Sequence, residues 1–371
     1  MSTTAVNTVV IGAGAAGLHT ARLLAERAVS FEVIDAHPRV GDPWRERYRS
    51  LRLFTARRFC ELPGMRLPIG AFEFPTAGQF ADYLEAYTQA HAFPLRMGVR
   101  VDRLSRTDDA FRLVLSTGDE VLAERVVVAA GAHHRPIRPR FASELDATIR
   151  QRHSLDYIGP EDLAPGPVLV VGAANSGTDI ALEAAESGHA TTLAGRNPGE
   201  VPFRVDTPLG NLLSGVFLRH LLRVTLDTKR GQRFLKEHRG HGVNRVRNHG
   251  RDLADAGVRQ VGRVVGVSDG RPALEDGEIV DATTVVWCTG SLPDLGWIDI
   301  PAAFGGNGLP AHVRGLAVGV PGLAFVGLPF QYSPLSAALI GMGRDAAFVV
   351  AQLLSKEVAV QKRRMAAPST P

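Results

Sequence analysis

Val168-Leu169-Val170-Val171-Gly172-Ala173-Ala174-Asn175-Ser176-Gly177 repeats, about 160 residues on, the grammar of Thr8-Val9-Val10-Ile11-Gly12-Ala13-Gly14-Ala15-Ala16-Gly17. In each, an apolar run reads as a buried strand and a glycine-punctuated turn follows. Helical apolar spacing comes next, over Leu18–Ala28 and Ile180–Ser187. The first glycine of such a loop permits a tight turn, the second lets backbone N–H groups approach a pyrophosphate, and the third lets helix pack on strand. The helix N-terminus then offers unpaired donors and partial positive charge to the anion. One loop alone is a weak signal. Two imply a protein that holds two dinucleotides and passes electrons between them.

The loops differ in their partners. After the first comes a strand, Phe31–Ile34, ending in Asp35, whose carboxylate can accept hydrogen bonds from ribose hydroxyls. In the second, Ala174 replaces the central glycine, which places a methyl group at the closest phosphate approach. The strand Thr191–Ala194 ends in Gly195-Arg196, with no acid. A guanidinium there matches a 2′-phosphate, so the pattern favours NADPH over NADH at Gly172, Asn175, Ser176, Gly177 and Arg196.

Each loop opens a unit of the same design. The first continues through strand-like segments Val99–Ser105, Phe111–Ser116 and Val121–Ala123 to a closing run, Val126–Gly131. The second continues through Val258–Val267 to Val285–Gly290. The expected fold is α/β, with two Rossmann-like dinucleotide-binding domains, the second inserted into the first. The first domain is expected over 1–158 and 285–371 and the second over 159–284, with a basic helical insertion at about 202–251. Pro-rich stretches Arg135–Arg140 and Gly159–Pro167 would carry the chain out and Gly290–Pro293 would bring it back. The tail from Lys356 reads as frayed.

Of 371 residues, 22% are charged and 45% hydrophobic, with net charge +4, the composition of a globular chain with real cores. The basic residues are nearly all Arg. Cys60 and Cys288 form no C-x-x-C, which argues against a redox-active dithiol and a cysteine zinc site, and no metal is expected. Met1–Asn7 lacks an apolar signal core and no uncharged run reaches membrane-spanning length, so a cytoplasmic protein without an integral membrane segment is expected. No nucleic-acid motif stands out. The insertion Pro202–Arg251 carries about ten Arg and Lys against three acids, and Leu209–Leu226 has helical apolar spacing. It reads as a helical flap, a lid for an anionic or apolar substrate, or a membrane-facing surface.

These segments together resemble the flavin-containing monooxygenases, class B flavoprotein monooxygenases, and within them the plant YUCCA type and its bacterial relatives. The resemblance runs through Asp35, Gly41-Asp42-Pro43-Trp44, Tyr48–Leu53, Arg58–Pro63 and Gln79–Leu84, the second loop, and Cys288-Thr289-Gly290. It covers nearly the whole chain except the insertion. It implies a disulfide-reductase-like pair of domains with FAD at the first loop. Residues implied to hold FAD are Gly12, Gly14, Ala16, Gly17 and Asp35, then Trp44, Arg45 and Val101. Ala130, Gly131, Thr289, Gly290 and Gln331 complete that set.

By the same resemblance, NADPH reduces the flavin, which traps molecular oxygen as a C4a-hydroperoxide and oxygenates a small organic substrate. Oxidative decarboxylation of a 2-oxo acid, N- or S-oxygenation and Baeyer–Villiger insertion all use this cofactor set. No catalytic side chain is assigned, and no Ser/His/Asp triad stands out; His133-His134 reads as a solvated loop. The family's sequence Phe-x-Gly-x-x-x-His-x-x-x-(Tyr/Trp) keeps His153 and Tyr157 here, while Ala147 and Ile149 replace Phe and Gly. Phe54 stands where the family has a polar residue near the flavin. These departures, with Ala174, keep open a reductase or oxidase that does not oxygenate. A non-enzymatic flavin-binding protein is the third option, and a homodimer is compatible with all of them.

Overall fold

A computed structural model describes residues 2–238 and 244–366, with side chains through Ser355. Among the described residues the strands form a nine-stranded sheet, a five-stranded sheet and two short ribbons. In the larger sheet Leu323–Phe325, Glu120–Val128, Thr3–Ile11, Phe31–Ile34 and Leu95–Arg96 run parallel, in that order. The antiparallel pair Val101–Arg106 and Phe111–Leu115 hangs on Glu120–Val128. The smaller sheet is parallel throughout, in the order Arg259–Val261, Thr191–Ala194, Val168–Val171, Thr284–Trp287, Arg150–His153.

Continuous apolar runs form these central strands because both faces are covered. Alternate residues feed opposite layers. In the larger sheet Val10, Val33 and Val127 enter one core, while Val9, Ile11, Ile34, Val126 and Val128 enter the other. The smaller sheet does the same: Val168, Val170 and Leu193 face one layer, and Leu169, Val171 and Trp287 the other. Each such side chain contributes about 1.5–3 kcal/mol on burial.

The chain leaves and re-enters the larger sheet side by side. Arg135–Pro136 pairs antiparallel with Ser291–Leu292, joining the outbound and return stretches in one ribbon. Because Arg150–His153 and Thr284–Trp287 both lie in the smaller sheet, division by sheet membership moves the crossings to this ribbon, rather than 158 and 285. Gly159–Pro167 then lies wholly on the smaller-sheet side.

Other expectations shift locally. Val258–Val267 divides into Arg259–Val261 and Val264–Ser268, the second folding back on Arg271–Leu274 through Asp269 (φ +49°) and Gly270 (φ +74°). The C-terminal helix starts at Leu339 rather than near Leu335. Pro334 lies in the preceding turn, and Ser336 Oγ accepts from Tyr332 N and Ser333 N at 2.9 Å each. This helix continues to Ala366, through the good helix formers of a tail expected to fray; residues 367–371 of that tail lie outside the described residues.

The C-terminal helix packs on the first-loop helix, Ala15–Ala25, so closely that a Cβ at Gly343 would stand 2.7 Å from the His19 ring. Burial, with Arg22 adding, lowers the His19 pKa from 6.5 to about 4. Above about pH 6.5 both folded and unfolded chains carry a neutral imidazole. Below it the unfolded chain takes up a proton that the folded one refuses until about pH 4, so stability falls through that window. The loss is roughly 3 kcal/mol from this group. Urea unfolding at a series of pH values should therefore show a shallower acid-side decline for His19→Leu than for the wild type. Parallel declines would contradict a buried neutral His19.

Candidate dinucleotide sites

The first loop divides its glycines between fold and ligand. Gly12 has φ +108°, and a Cβ there would lie 2.5 Å from Ala129 O; one at Gly17 would lie 1.8 Å from Gly12 O. Gly14 has ordinary angles (φ −76°, ψ −179°), and a Cβ there would meet nothing within 4 Å. The fold requires the outer two, whereas the middle one keeps space clear. The helix that follows has no side-chain cap, in contrast to Ala77–His91, where Thr76 and Gln79 form a capping box. Its leading N–H groups are thus offered to an anion, which fits the phosphates of a dinucleotide.

Most residues expected around this loop gather there. Asp35 Oδ2 accepts from Ala13 N at 2.6 Å, and Oδ1 accepts from His37 N at 2.8 Å and lies 3.0 Å from His37 Nδ1. Burial pushes its pKa up, but these donors outweigh that and hold the carboxyl below its usual range. Val99 N donates to Asp35 O at 2.9 Å, which brings the strand starting at Val101 alongside. A Gly12 Cβ would lie 3.2 Å from Ala130 Cα, next to Gly131 (φ +88°), and a Gly327 Cβ 3.2 Å from Ala16.

Three expected contacts carry structural work that the sequence did not reveal. Trp44 sets its ring edge-on to Phe80 at 5.0 Å. Arg45 donates to Asp82 and Glu85 at 2.7 Å each, so its guanidinium is committed to protein carboxylates. Gln331 is buried, with Oε1 accepting from Leu328 N at 3.3 Å, and pins the turn before the last helix.

The second loop superimposes on this plan group for group. Gly172 has φ +115° against Cys288 O, and a Gly177 Cβ would lie 1.7 Å from Gly172 O. Ala174 occupies the Gly14 position with the same extended backbone (φ −87°, ψ −167°), and the helix Asn175–Glu186 again lacks a side-chain cap. The methyl group is therefore unstrained and bears only on a ligand. Ala174→Gly should lower the KM for NADPH a few-fold, and a glycine is also a better N-cap; an unchanged or higher KM would show that no pyrophosphate approaches this residue.

Asn244–Val246, from the basic insertion, lines one side of the loop. Arg245 Nε donates to Ala173 O at 2.9 Å, and Asn175 bridges Asn244 O and Val246 N. Ala174, Asn175 and Ser176 remain half-exposed beside them. Sheet register makes Gly195 the counterpart of Asp35, since Ala194 pairs with Val171 as Ile34 pairs with Ile11. The acid of the first site is thus absent, and Arg196 follows, exposed to solvent.

Tyr48, from the segment that follows Trp44, reaches the second-loop helix. Its hydroxyl donates to Asp179 Oδ2 at 3.0 Å, on the second-loop helix, and Asp179 also accepts from Arg247 and Asn248. Burial pushes the Asp179 carboxyl up against the pull of these donors. Thr289 donates to Ile137 O, and His153 Nε2 lies 3.0 Å from Gly290 O while its Nδ1 accepts from Leu155 N. That pattern fixes a neutral imidazole, in keeping with a pKa lowered by burial. His153 ties the edge strand Arg150–His153 to the turn after Thr284–Trp287. Tyr157, the other retained motif residue, donates to Glu183 at 2.7 Å.

One residue of this junction escaped the sequence reading. Arg47 has a buried Nε without a partner, near Tyr48 and Cys288, and burial lowers its pKa. A guanidinium beside Cys288, with no acid paired to it among the described residues, suits an anionic group of a ligand. A cleft of roughly 410 Å³ is lined by Arg52, Glu73 and Phe74 and by Arg204, Asp206, Arg247, Asn248 and Asp252. Among the described residues no cluster could hold a metal ion, and no helix is long and apolar enough to cross a membrane.

Comparison with known proteins agrees with this geometry. The family profile described as pyridine nucleotide-disulphide oxidoreductase matches residues 9–211. The chain is 34% identical over 351 residues to an uncharacterized CzcO-like oxidoreductase of Geobacillus kaustophilus, covering 94% of this chain and 99% of that protein. It is 33% identical over 192 residues to indole-3-pyruvate monooxygenase YUCCA1 of Oryza sativa subsp. japonica, 51% of this chain and 47% of that one. A solved flavin-containing monooxygenase from Stenotrophomonas maltophilia matches with TM-score 0.77 at 25% identity, over 95% of this chain and 99% of that chain. With a profile spanning more than half its length and a relative matched almost end to end, the protein is an oxidoreductase of the pyridine nucleotide-disulphide oxidoreductase family.

Proposed function

We propose that this protein is an FAD- and NADPH-dependent monooxygenase that places one atom of molecular oxygen in a small organic substrate. The observation that carries the reading is the duplicated loop, with an acid after one copy and Arg196 after the other. Bound at these loops, FAD and NADPH supply hydride transfer and oxygen activation. The first loop and Asp35 hold the flavin nucleotide, and the second loop and Arg196 hold NADPH. Arg47 orients an anionic group between them. The insertion meets the flavin-side turn, where Leu226 N donates to Tyr332 O at 2.9 Å and Tyr332 donates to Asp227 at 3.0 Å.

Disulphide exchange fits this chain poorly. Cys60 and Cys288 are far apart in sequence, and burial pushes both thiols up to about 12, so neither supplies a ready thiolate. The YUCCA1 likeness supports a 2-oxo acid substrate that loses CO2 on oxygenation; N- or S-oxygenation and Baeyer–Villiger insertion are served by the same cofactors. The test is turnover under ¹⁸O2. Label in the organic product, one atom per NADPH consumed, supports monooxygenation. NADPH consumption with all reduced oxygen recovered as peroxide or water favours the second reading, a reductase or oxidase, which Phe54 (41% exposed) and Ala174 support.

A further inference from the structure

The insertion helix Pro208–Arg223 turns a leucine-rich face outward. Leu209, Leu212, Leu213 and Val216, spaced i, i+3, i+4, i+7, are 66%, 59%, 40% and 61% exposed. The opposite face is fixed in place. Asn211, Gly215 and Leu218 are buried, Arg58 donates to Asn211 O, and Arg344 Nη1 donates to Leu222 O at 2.6 Å. The helix is firmly held, and among the described residues nothing covers its apolar stripe. Phe72, 58% exposed, lies under the Arg58 guanidinium on the side where the helix is held, 5.4 Å from ring centre to guanidinium. Continuous apolar exposure of this kind marks an interaction surface.

Charge selects the occupant. One helical turn beyond Val216 the same outward face carries Arg219 and Arg223, both exposed. The next helix, Lys229–His238, adds exposed Lys229, Arg230 and Lys236, and its Glu237 is already paired with Arg233. A second copy across a two-fold axis would set these cations against themselves. The helix spans 16 residues with two arginines in its last turn and a half, too short and too charged to cross a bilayer. Apolar side chains beside arginine and lysine are the pattern of a helix that lies in the membrane interface.

We propose that this face docks the protein on an anionic lipid bilayer, with the leucines in the headgroup–acyl boundary and the arginines at the lipid phosphates. The helix pair that docks is the one that closes on Tyr332, and Phe234 meets Phe330 there at 6.2 Å, so docking places the bilayer next to the cofactor side. An apolar substrate dissolved in lipid would then have a short path.

The experiment is co-sedimentation of the full-length, FAD-loaded protein with vesicles of phosphatidylcholine alone and of phosphatidylcholine with an equal part of phosphatidylglycerol. Binding is expected to the anionic vesicles and to weaken with salt. Leu212→Glu with Leu213→Glu should weaken it at least about tenfold. Arg219→Gln with Arg223→Gln should weaken it by roughly thirtyfold, about a factor of five for each charge removed. Bound FAD in both variants shows that they fold, and vesicle binding is read without turnover, so its outcome is separate from that of the oxygenation test. Absence of binding to anionic vesicles, or undiminished binding by both variants, overturns the proposal. So does a wild-type dimer that ignores vesicles and is split by Leu212→Glu, which would assign the face to a second copy.

Discussion

Gly14→Val is expected to yield a folded but colourless protein. Its backbone angles are ordinary for any residue, and its Cβ direction is open for 4 Å, so the free protein loses at most about 1 kcal/mol at this N-cap. The valine fills the space where a pyrophosphate must reach the helix N–H groups. Affinity for FAD should fall by on the order of a thousandfold, about 4 kcal/mol. Gly17→Ala is the contrasting control. Its Cβ would lie 1.8 Å from Gly12 O, so this smaller change should destabilise the fold itself by about 1–3 kcal/mol or more. Thermal melts and FAD titration of both variants check the pair. A Gly14→Val protein that binds FAD normally would show that the first loop does not hold it.

Arg196→Glu is expected to remove the preference for NADPH. A charge-assisted hydrogen bond to a 2′-phosphate is worth about 1.5–3 kcal/mol, and the substitution replaces it with repulsion. The kcat/KM for NADPH should drop about a hundredfold while that for NADH holds or rises. Because Arg196 is exposed, raising the ionic strength should shrink the wild-type preference. Equal losses with the two nucleotides would point to a general effect on the second loop instead.

The parts legible in sequence were those in which local chemistry dictates geometry. Gly12, Gly17, Gly172 and Gly177 announce loops because only glycine fits against Ala129 O, Gly12 O and Cys288 O. The run Val168–Val171 announces a buried strand because both of its faces are apolar, and Phe31–Ile34 does so except at Glu32, which pairs with Arg96; the bounds of both matched the structure. Features set by distant partners were not legible. Arg45 reads as a cofactor contact until Asp82 and Glu85 are brought to it from a helix dozens of residues away. Gln331, expected at FAD, is also tied to Arg314 O, which accepts from its Nε2 at 3.4 Å. Arg47 gave no signal, because an arginine lacking an acid looks like any other in an arginine-rich chain. Its only mark is a buried Nε that no neighbour satisfies. The exposed stripe of the insertion was visible as helical spacing, but which side faced outward depended on Arg58 and Arg344.

The central claim is that the first loop would hold FAD and the second NADPH, within hydride reach of one another. Anaerobic titration of the FAD-loaded protein with NADPH tests it most directly. The predicted result is loss of the oxidised flavin absorbance at one equivalent of NADPH per FAD, with NADH much less effective. Flavin that binds tightly yet stays oxidised in excess NADPH would contradict it.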